Sequence, residues 1–111
     1  QYIILGGEAI IADVVEDWMS QYPEHIIVNE YGPTETTVAV SAYKISKNNI
    51  DKKVKTTFPI GFPAYNTQIH VLNKHKKLCQ IGAEGEIYIS GSSVTCGYLN
   101  RPEVNGKSFL S

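Results

Sequence analysis

The stretch YIILGGEAIIADVVEDWMSQYPEHIIV, residues 2–28, decides the fold. Tyr2-Ile3-Ile4-Leu5 is a short apolar run stopped by Gly6-Gly7, the pattern of a buried strand. From Ile10 to Tyr22, apolar residues fall at Ile11, Val14, Val15, Trp18, Met19 and Tyr22. That is the i, i+3, i+4, i+7 series of one helical stripe, with Asp13, Glu16, Asp17 and Gln21 opposite, and it makes Trp18 a core residue. Pro23 ends the helix, and Ile26-Ile27-Val28 reads as a second buried strand. Strand, helix and strand in immediate succession form a βαβ unit, so the two strands run parallel.

Downstream, Glu30 to Thr37 is polar, holds Gly and Pro, and reads as a loop. Val38 to Ile45 alternates apolar with small or polar residues, a third strand. Ser46 to Thr57 carries Lys47, Lys52, Lys53 and Lys55 and reads as solvated; no aromatic interleaves the lysines, so nucleic acid is not implied. Gln68–Leu72 and Gly85–Ser90 alternate as strands around Asn73-Lys74-His75-Lys76-Lys77, an antiparallel pair at the edge of a different sheet. Arg101-Pro102-Glu103 opens a helix with proline near its first position. The expected class is α/β: a βαβ unit of a parallel sheet, then antiparallel strands of a distorted barrel or second sheet. Residues 1–45 carry strand, helix, strand, loop and strand; 46–58 are the solvated loop; 59–111 hold antiparallel strands and a helix start.

The bulk properties exclude several classes. The chain has 111 residues, 42% hydrophobic and 19% charged, enough for one domain with a real core. A net charge of −1 produces no long-range field, so neither nucleic acid nor anionic membrane is expected as a partner. The apolar runs are far shorter than the roughly 20 residues that span a bilayer. Gln1-Tyr2-Ile3-Ile4-Leu5 shows neither an initiator Met nor a basic leader, and the apolar residues near both ends read as cuts through a longer chain. Cys79 and Cys96 have no partner motif and read as free thiols of a cytoplasmic protein. His25, His70 and His75 lack ligand spacing.

Function is concentrated in Asn29-Glu30-Tyr31-Gly32-Pro33-Thr34-Glu35-Thr36-Thr37, directly after the second parallel strand. Ligands of open α/β sheets sit beyond the carboxyl ends of strands, where this loop falls. Its side chains suit a nucleoside triphosphate. The Asn29 amide can pair with a purine edge and Tyr31 offers a stacking face. Gly32 admits close approach of backbone to phosphate, the Thr34 hydroxyl can donate to phosphate oxygen, and Glu35 can hold Mg²⁺. On residue chemistry alone, a Gly-Pro surface turn with decorative polar residues is the favoured reading.

The same nine residues resemble the signature loop of nonribosomal peptide synthetase adenylation domains, within the wider acyl- and aryl-ligase superfamily. Three further segments match in order. They are Leu5-Gly6-Gly7-Glu8-Ala9; Pro59-Ile60-Gly61-Phe62-Pro63; and Gly85-Glu86-Ile87-Tyr88-Ile89-Ser90-Gly91 with Gly97-Tyr98-Leu99-Asn100-Arg101-Pro102-Glu103. The resemblance implies an internal fragment of the large N-terminal subdomain of an adenylation domain. It implies ATP and Mg²⁺ as cofactors, an amino acid as substrate, and a phosphopantetheine-bearing carrier protein and a condensation domain as partners. Carried over, Gly7, Glu8, Ala9 and the ring of Tyr31 sandwich adenine and Asn29 meets its amino edge. Glu30, Gly32 and Pro33 complete the nucleotide loop, Thr34 contacts the α-phosphate and Glu35 ligates Mg²⁺. Ile4, Gly6, Glu30, Val38 and Ala39 fall on substrate-pocket positions. Glu8 also suits a helix-start carboxylate.

A carboxylate in a closed pocket needs a cation or a hydrogen-bond donor, so Glu30 favours a basic or hydrogen-bond-donating substrate side chain. A Glu30 turned to solvent, or paired outside this chain, is the alternative. Gly85 to Glu103 reads as structural. The superfamily's phosphate loop, its Thr-Gly-Asp segment and its C-terminal lysine are not in this sequence, so the isolated chain is expected to be inactive. Thr37-Val38-Ala39-Val40 also resembles the D-alanine–carrier-protein ligases, and a non-catalytic nucleotide-binding or structural module is a third reading.

Overall fold

A computed structural model describes residues 1–50 and 56–110. Lys52, Lys53 and Lys55 of the expected solvated loop lie outside the described residues. The elements are β1 (Tyr2–Gly6), α1 (Ala12–Gln21), β2 (Ile26–Tyr31), β3 (Ser41–Ile45), β4 (Phe62–Pro63), β5 (Thr67–Leu72), β6 (Glu86–Gly91) and α2 (Pro102–Ser108). One sheet has the order β1-β2-β3-β4, and β5 and β6 form a second, two-stranded sheet. β1 and β2 are parallel, with Ile4 opposite Val28 and Gly6 opposite Glu30, so their carboxyl ends lie side by side. β2–β3, β3–β4 and β5–β6 are antiparallel. The mixed α/β class read from the sequence is the class observed.

The core lies between α1 and one face of the first sheet. Ala12, Val15 and Met19 of the helix pack with Ile10, Ile27, Ile45 and Phe58, and with the half-buried Ile3 and Tyr43. Burying a side chain of this size contributes about 1.5–3 kcal/mol, and this cluster anchors the βαβ unit. Segment 56–58 seals the helix start: Ala12 N–H donates to Thr56 O at 2.9 Å and Phe58 N–H to Ile10 O at 3.0 Å.

Four sequence expectations shift. The helix begins at Ala12, so Glu8 is not in its first turn; Asp13 is the acidic residue there. Trp18 is not core: it stays 40% exposed, tilted against Tyr22 at 4.7 Å, with Val14 and Ile11 exposed beside it. The apolar stripe is wider than the single sheet face it meets, and only its Ala12–Val15–Met19 edge reaches the strands. The third strand begins at Ser41 and not Val38, because Val38 adopts φ +59°, the left-handed region that no strand residue occupies. Glu30 and Tyr31, read as loop, are still strand, paired with Ala42 and Ser41. In addition, Phe62–Pro63 adds to the first sheet at β3. Gly61 makes that approach with φ +83°, and a Cβ there would stand 2.0 Å from Ala42 O.

Candidate functional site

The loop after β2 is closed at its base and pinned at its tip. Val40 N–H donates to Tyr31 O at 2.7 Å, bringing the chain back onto the strand it left. Gly32 permits this: a Cβ there would lie 2.2 Å from Val38 O and 2.9 Å from Ala39 Cα. Within the loop, Pro33 O accepts from Thr36 N–H at 3.0 Å and from Thr36 Oγ1 at 2.8 Å, a tight turn with Thr34 and Glu35 at its apex. Thr36 is the buried foot of that turn, Glu35 is half-buried and Thr34 is exposed.

A distant segment holds the apex. Thr37 N–H donates to Ser93 O at 2.7 Å, and Thr95 donates to Glu35 O through both N–H, at 2.9 Å, and Oγ1, at 3.0 Å. Tyr98 Oη donates to Glu35 Oε1 at 2.8 Å. That hydroxyl is the chief cause that holds the Glu35 carboxyl below its usual range, aided by a backbone hydrogen bond and by Ser108 against a small burial effect. The same contact pushes the Tyr98 hydroxyl up. Glu35 is therefore an anion with a fixed main chain and one oxygen tethered.

Asn29 is buried at 4% exposure and its Nδ2 donates to Pro59 O at 2.9 Å, which aims its Oδ1 away from that carbonyl. Two concavities adjoin the strand ends. One, of about 480 Å³, is lined by Tyr31, Glu35, His70, Tyr88, Lys107 and Phe109 among others. The other, of about 500 Å³, is lined by the turn Gly6–Ala9 with Leu5 and Val14. Gly7, Glu8 and Ala9 thus face one hollow and Tyr31 the other. Neither of these two hollows holds both sides of the expected adenine sandwich.

On the substrate side, Ile4 and Gly6 lie on the face of β1 opposite Ile3 and α1. Gly6 pairs with Glu30, and a Cβ on it would stand 2.9 Å from Glu30 O. Val38, 82% exposed, and Ala39 lie across the loop over Gly32. Among the described residues no group of three or more His, Cys, Asp or Glu is placed to hold a metal ion. Mg²⁺ takes one or two carboxylates and completes its octahedron with phosphate oxygens and water, so the half-buried Glu35 carboxylate suits an ion that arrives with phosphates rather than an all-protein cage.

Sequence reading missed Ser93, Thr95, Tyr98 and Asn105. The Gly97-Tyr98 match was visible, but its contact reaches back across the chain to Glu35 through bonds no local pattern encodes.

The loop stands at the carboxyl edge of a parallel strand pair in a mixed α/β fold, with Glu35 held at its apex. The chain belongs to the AMP-binding enzyme family, whose model matches residues 1–99. It is 41% identical over 108 residues to bacitracin synthase 3 of Bacillus licheniformis, covering 97% of this chain and 2% of that protein. It is 36% identical over 110 residues to the D-alanine–D-alanyl carrier protein ligase of Lacticaseibacillus casei, covering 99% of this chain and 21% of that one. The Vibrio cholerae adenylation domain AlmE, solved with glycyl-adenosine-5′-phosphate, superposes with a TM-score of 0.83 at 26% identity, over all of this chain and 21% of AlmE. The chain therefore spans a small part of the length of these relatives.

Proposed function

We propose that this chain is part of an amino-acid-activating ligase, supplying the adenine side and the acidic apex of its Mg·ATP site and one side of its amino-acid pocket. The observation that carries this is the clasped Thr34–Glu35 apex, presented beyond the paired carboxyl ends of β1 and β2. In the reaction, the amino-acid carboxylate attacks the α-phosphorus of ATP; the bond to pyrophosphate breaks and an aminoacyl-adenylate forms. A phosphopantetheine thiol on a carrier protein then displaces AMP to give a thioester. Asn29 Oδ1 meets the adenine amino group, with Nδ2 committed to Pro59, and Tyr31 offers its ring face to the base. Thr34 donates to the α-phosphate. Glu35 is the protein ligand of Mg²⁺, which when bound offsets the phosphate charge that opposes attack.

AlmE, seen with its glycyl-adenylate, supports an amino acid as substrate, and the carrier-protein ligase supports a carrier as acceptor. A neighbouring condensation domain and a cytoplasmic setting follow from the synthetase reading; Cys79 and Cys96 are both free thiols. Among the described residues no helix is long and apolar enough to cross a membrane. By itself the chain supplies one wall of the site and no catalysis. The test is Glu35→Gln in the full-length enzyme that carries this segment. Amino-acid-dependent ATP–pyrophosphate exchange is expected to fall about a hundredfold or more, the scale of losing one preorganised charge-stabilising group. Exchange near the wild-type rate removes Glu35 from the reaction.

A further inference from the structure

Tyr98 is built to hold its hydroxyl in one place. Its N–H donates to Asn105 Oδ1 at 2.7 Å, and Asn105 Nδ2 donates back to Tyr98 O at 3.0 Å, a two-point latch from helix α2. Gly97 makes room for that latch: it sits at φ +118°, and a Cβ on it would press within 3.0 Å of three atoms of the Asn105 side chain. The Tyr98 ring meets Phe109 edge-on, with centroids 6.2 Å apart and planes at 75°. Backbone and ring are thus fixed before the hydroxyl reaches Glu35 Oε1 at 2.8 Å. Thr95 fixes the Glu35 main-chain oxygen from the same segment, so both ends of this residue are set by residues 95–105.

We propose that Tyr98, latched by Asn105, is a positioning residue. It tethers one carboxylate oxygen of Glu35, so that the other is presented to the metal of Mg·ATP in a single orientation. A free glutamate side chain rotates about three torsions and loses that freedom when the metal binds, an ordering cost that a pre-tethered one has already met. The inference rests on the reading of Glu35 as the magnesium ligand.

The test uses full-length enzyme and Tyr98→Phe, which keeps the ring on Phe109 and the backbone latch. Calorimetry measures AMP binding without metal and ATP binding at saturating Mg²⁺; pyrophosphate exchange is followed against Mg²⁺ concentration. AMP affinity should hold, while Mg·ATP affinity weakens about three- to tenfold, the scale of one hydrogen bond's net contribution. The Mg²⁺ half-saturation should rise several-fold more than the maximal rate falls. Equal losses for AMP and Mg·ATP, or no change in either, overturn the proposal. Glu35→Gln in the same assays separates the two readings. If it leaves the Mg²⁺ dependence intact, the magnesium role fails and Tyr98 falls with it. If it abolishes that dependence and Tyr98→Phe does not shift it, only the positioning role fails. Should Tyr98→Phe fold poorly, Asn105→Asp keeps the acceptor for Tyr98 N–H and loses the return bond. It must move the Mg²⁺ half-saturation in the same direction, and a constant value overturns the latch.

Discussion

Asn29 ties β2 to the segment before β4, and substituting it measures that tie. It is 4% exposed, and its Nδ2 donates to Pro59 O at 2.9 Å, tying the approach to β4 directly to β2. Asn29→Ala leaves that carbonyl without its partner in a site that water barely enters, which costs about 1–3 kcal/mol. The cost falls on a local unit, so it is best read by native-state hydrogen exchange in the full-length enzyme. The reporters are the amides of Phe58, bonded to Ile10 O, and Ala64, bonded to Val40 O, on either side of Pro59. Their exchange should quicken roughly five- to 150-fold, the rate equivalent of that free energy. Asn29→Asp sharpens the argument, because an ionised carboxylate sets oxygen against oxygen, whereas a protonated one can still donate to Pro59. Such a carboxyl has a folded pKa above its unfolded value. Its stabilising bond is present below the unfolded pKa and is lost as pH rises through the folded one. The Asp variant's protection, taken relative to the intrinsic exchange rate at each pH, should therefore be greatest in acid and fall to or below that of the Ala variant at neutral pH. Unchanged protection at Phe58 and Ala64 in Asn29→Ala would refute the tie, and a pH-independent Asp variant would refute its donor sense.

Two further outcomes follow from the strand ends. If Tyr31 acts through its ring, Tyr31→Phe leaves the KM for ATP within about twofold, while Tyr31→Ala raises it by the loss of about 1–3 kcal/mol of base stacking; equal damage from both would assign the work to the hydroxyl. Glu30, paired with Gly6 on the face opposite α1, should select substrates with a basic or hydrogen-bond-donating side chain; a panel of amino acids in pyrophosphate exchange checks this, and an aliphatic preference that survives Glu30→Ala would overturn it.

What could be read from the residues, and what could not, divides by the range of the interaction. The βαβ unit was legible because each part announces itself within a few residues. Gly6-Gly7 stops β1, Pro23 stops α1, and the Ala12–Val15–Met19 line needs only the adjacent strands to bury it. Parallel pairing then forces Gly6 and Glu30 side by side, so the place of the candidate site followed from topology. Val38 reads as strand because Val38 to Ile45 alternates apolar with small or polar residues. Its φ of +59° answers instead to the closure of the loop by Val40 on Tyr31 and to the missing side chain of Gly32, several residues away. Trp18 was read as core because helical spacing reports a stripe's width and not how much of it meets a partner; here it borrows a neighbour, donating Nε1–H to His25 Nδ1 at 3.2 Å.

The clasp on Glu35 was the least legible feature, and the reason is chemical. Thr95 holds it through a main-chain carbonyl that any residue type would offer at that position, so no side-chain pattern in the loop betrays it. Tyr98 reaches the carboxylate across 63 positions of sequence, and Asn105 acts one step further out, on the tyrosine's backbone. A sequence therefore displays the group that meets the ligand more openly than the groups that aim it. The first is constrained by the ligand's chemistry to a few residue types, whereas aiming can be done by any donor that the fold delivers to the right atom. Glu35 alone would be an exposed turn carboxylate, free to rotate. With Thr95 on its carbonyl and Tyr98 on one of its oxygens, the same side chain is held in one orientation, and that orientation comes from the segment whose sequence looked merely structural.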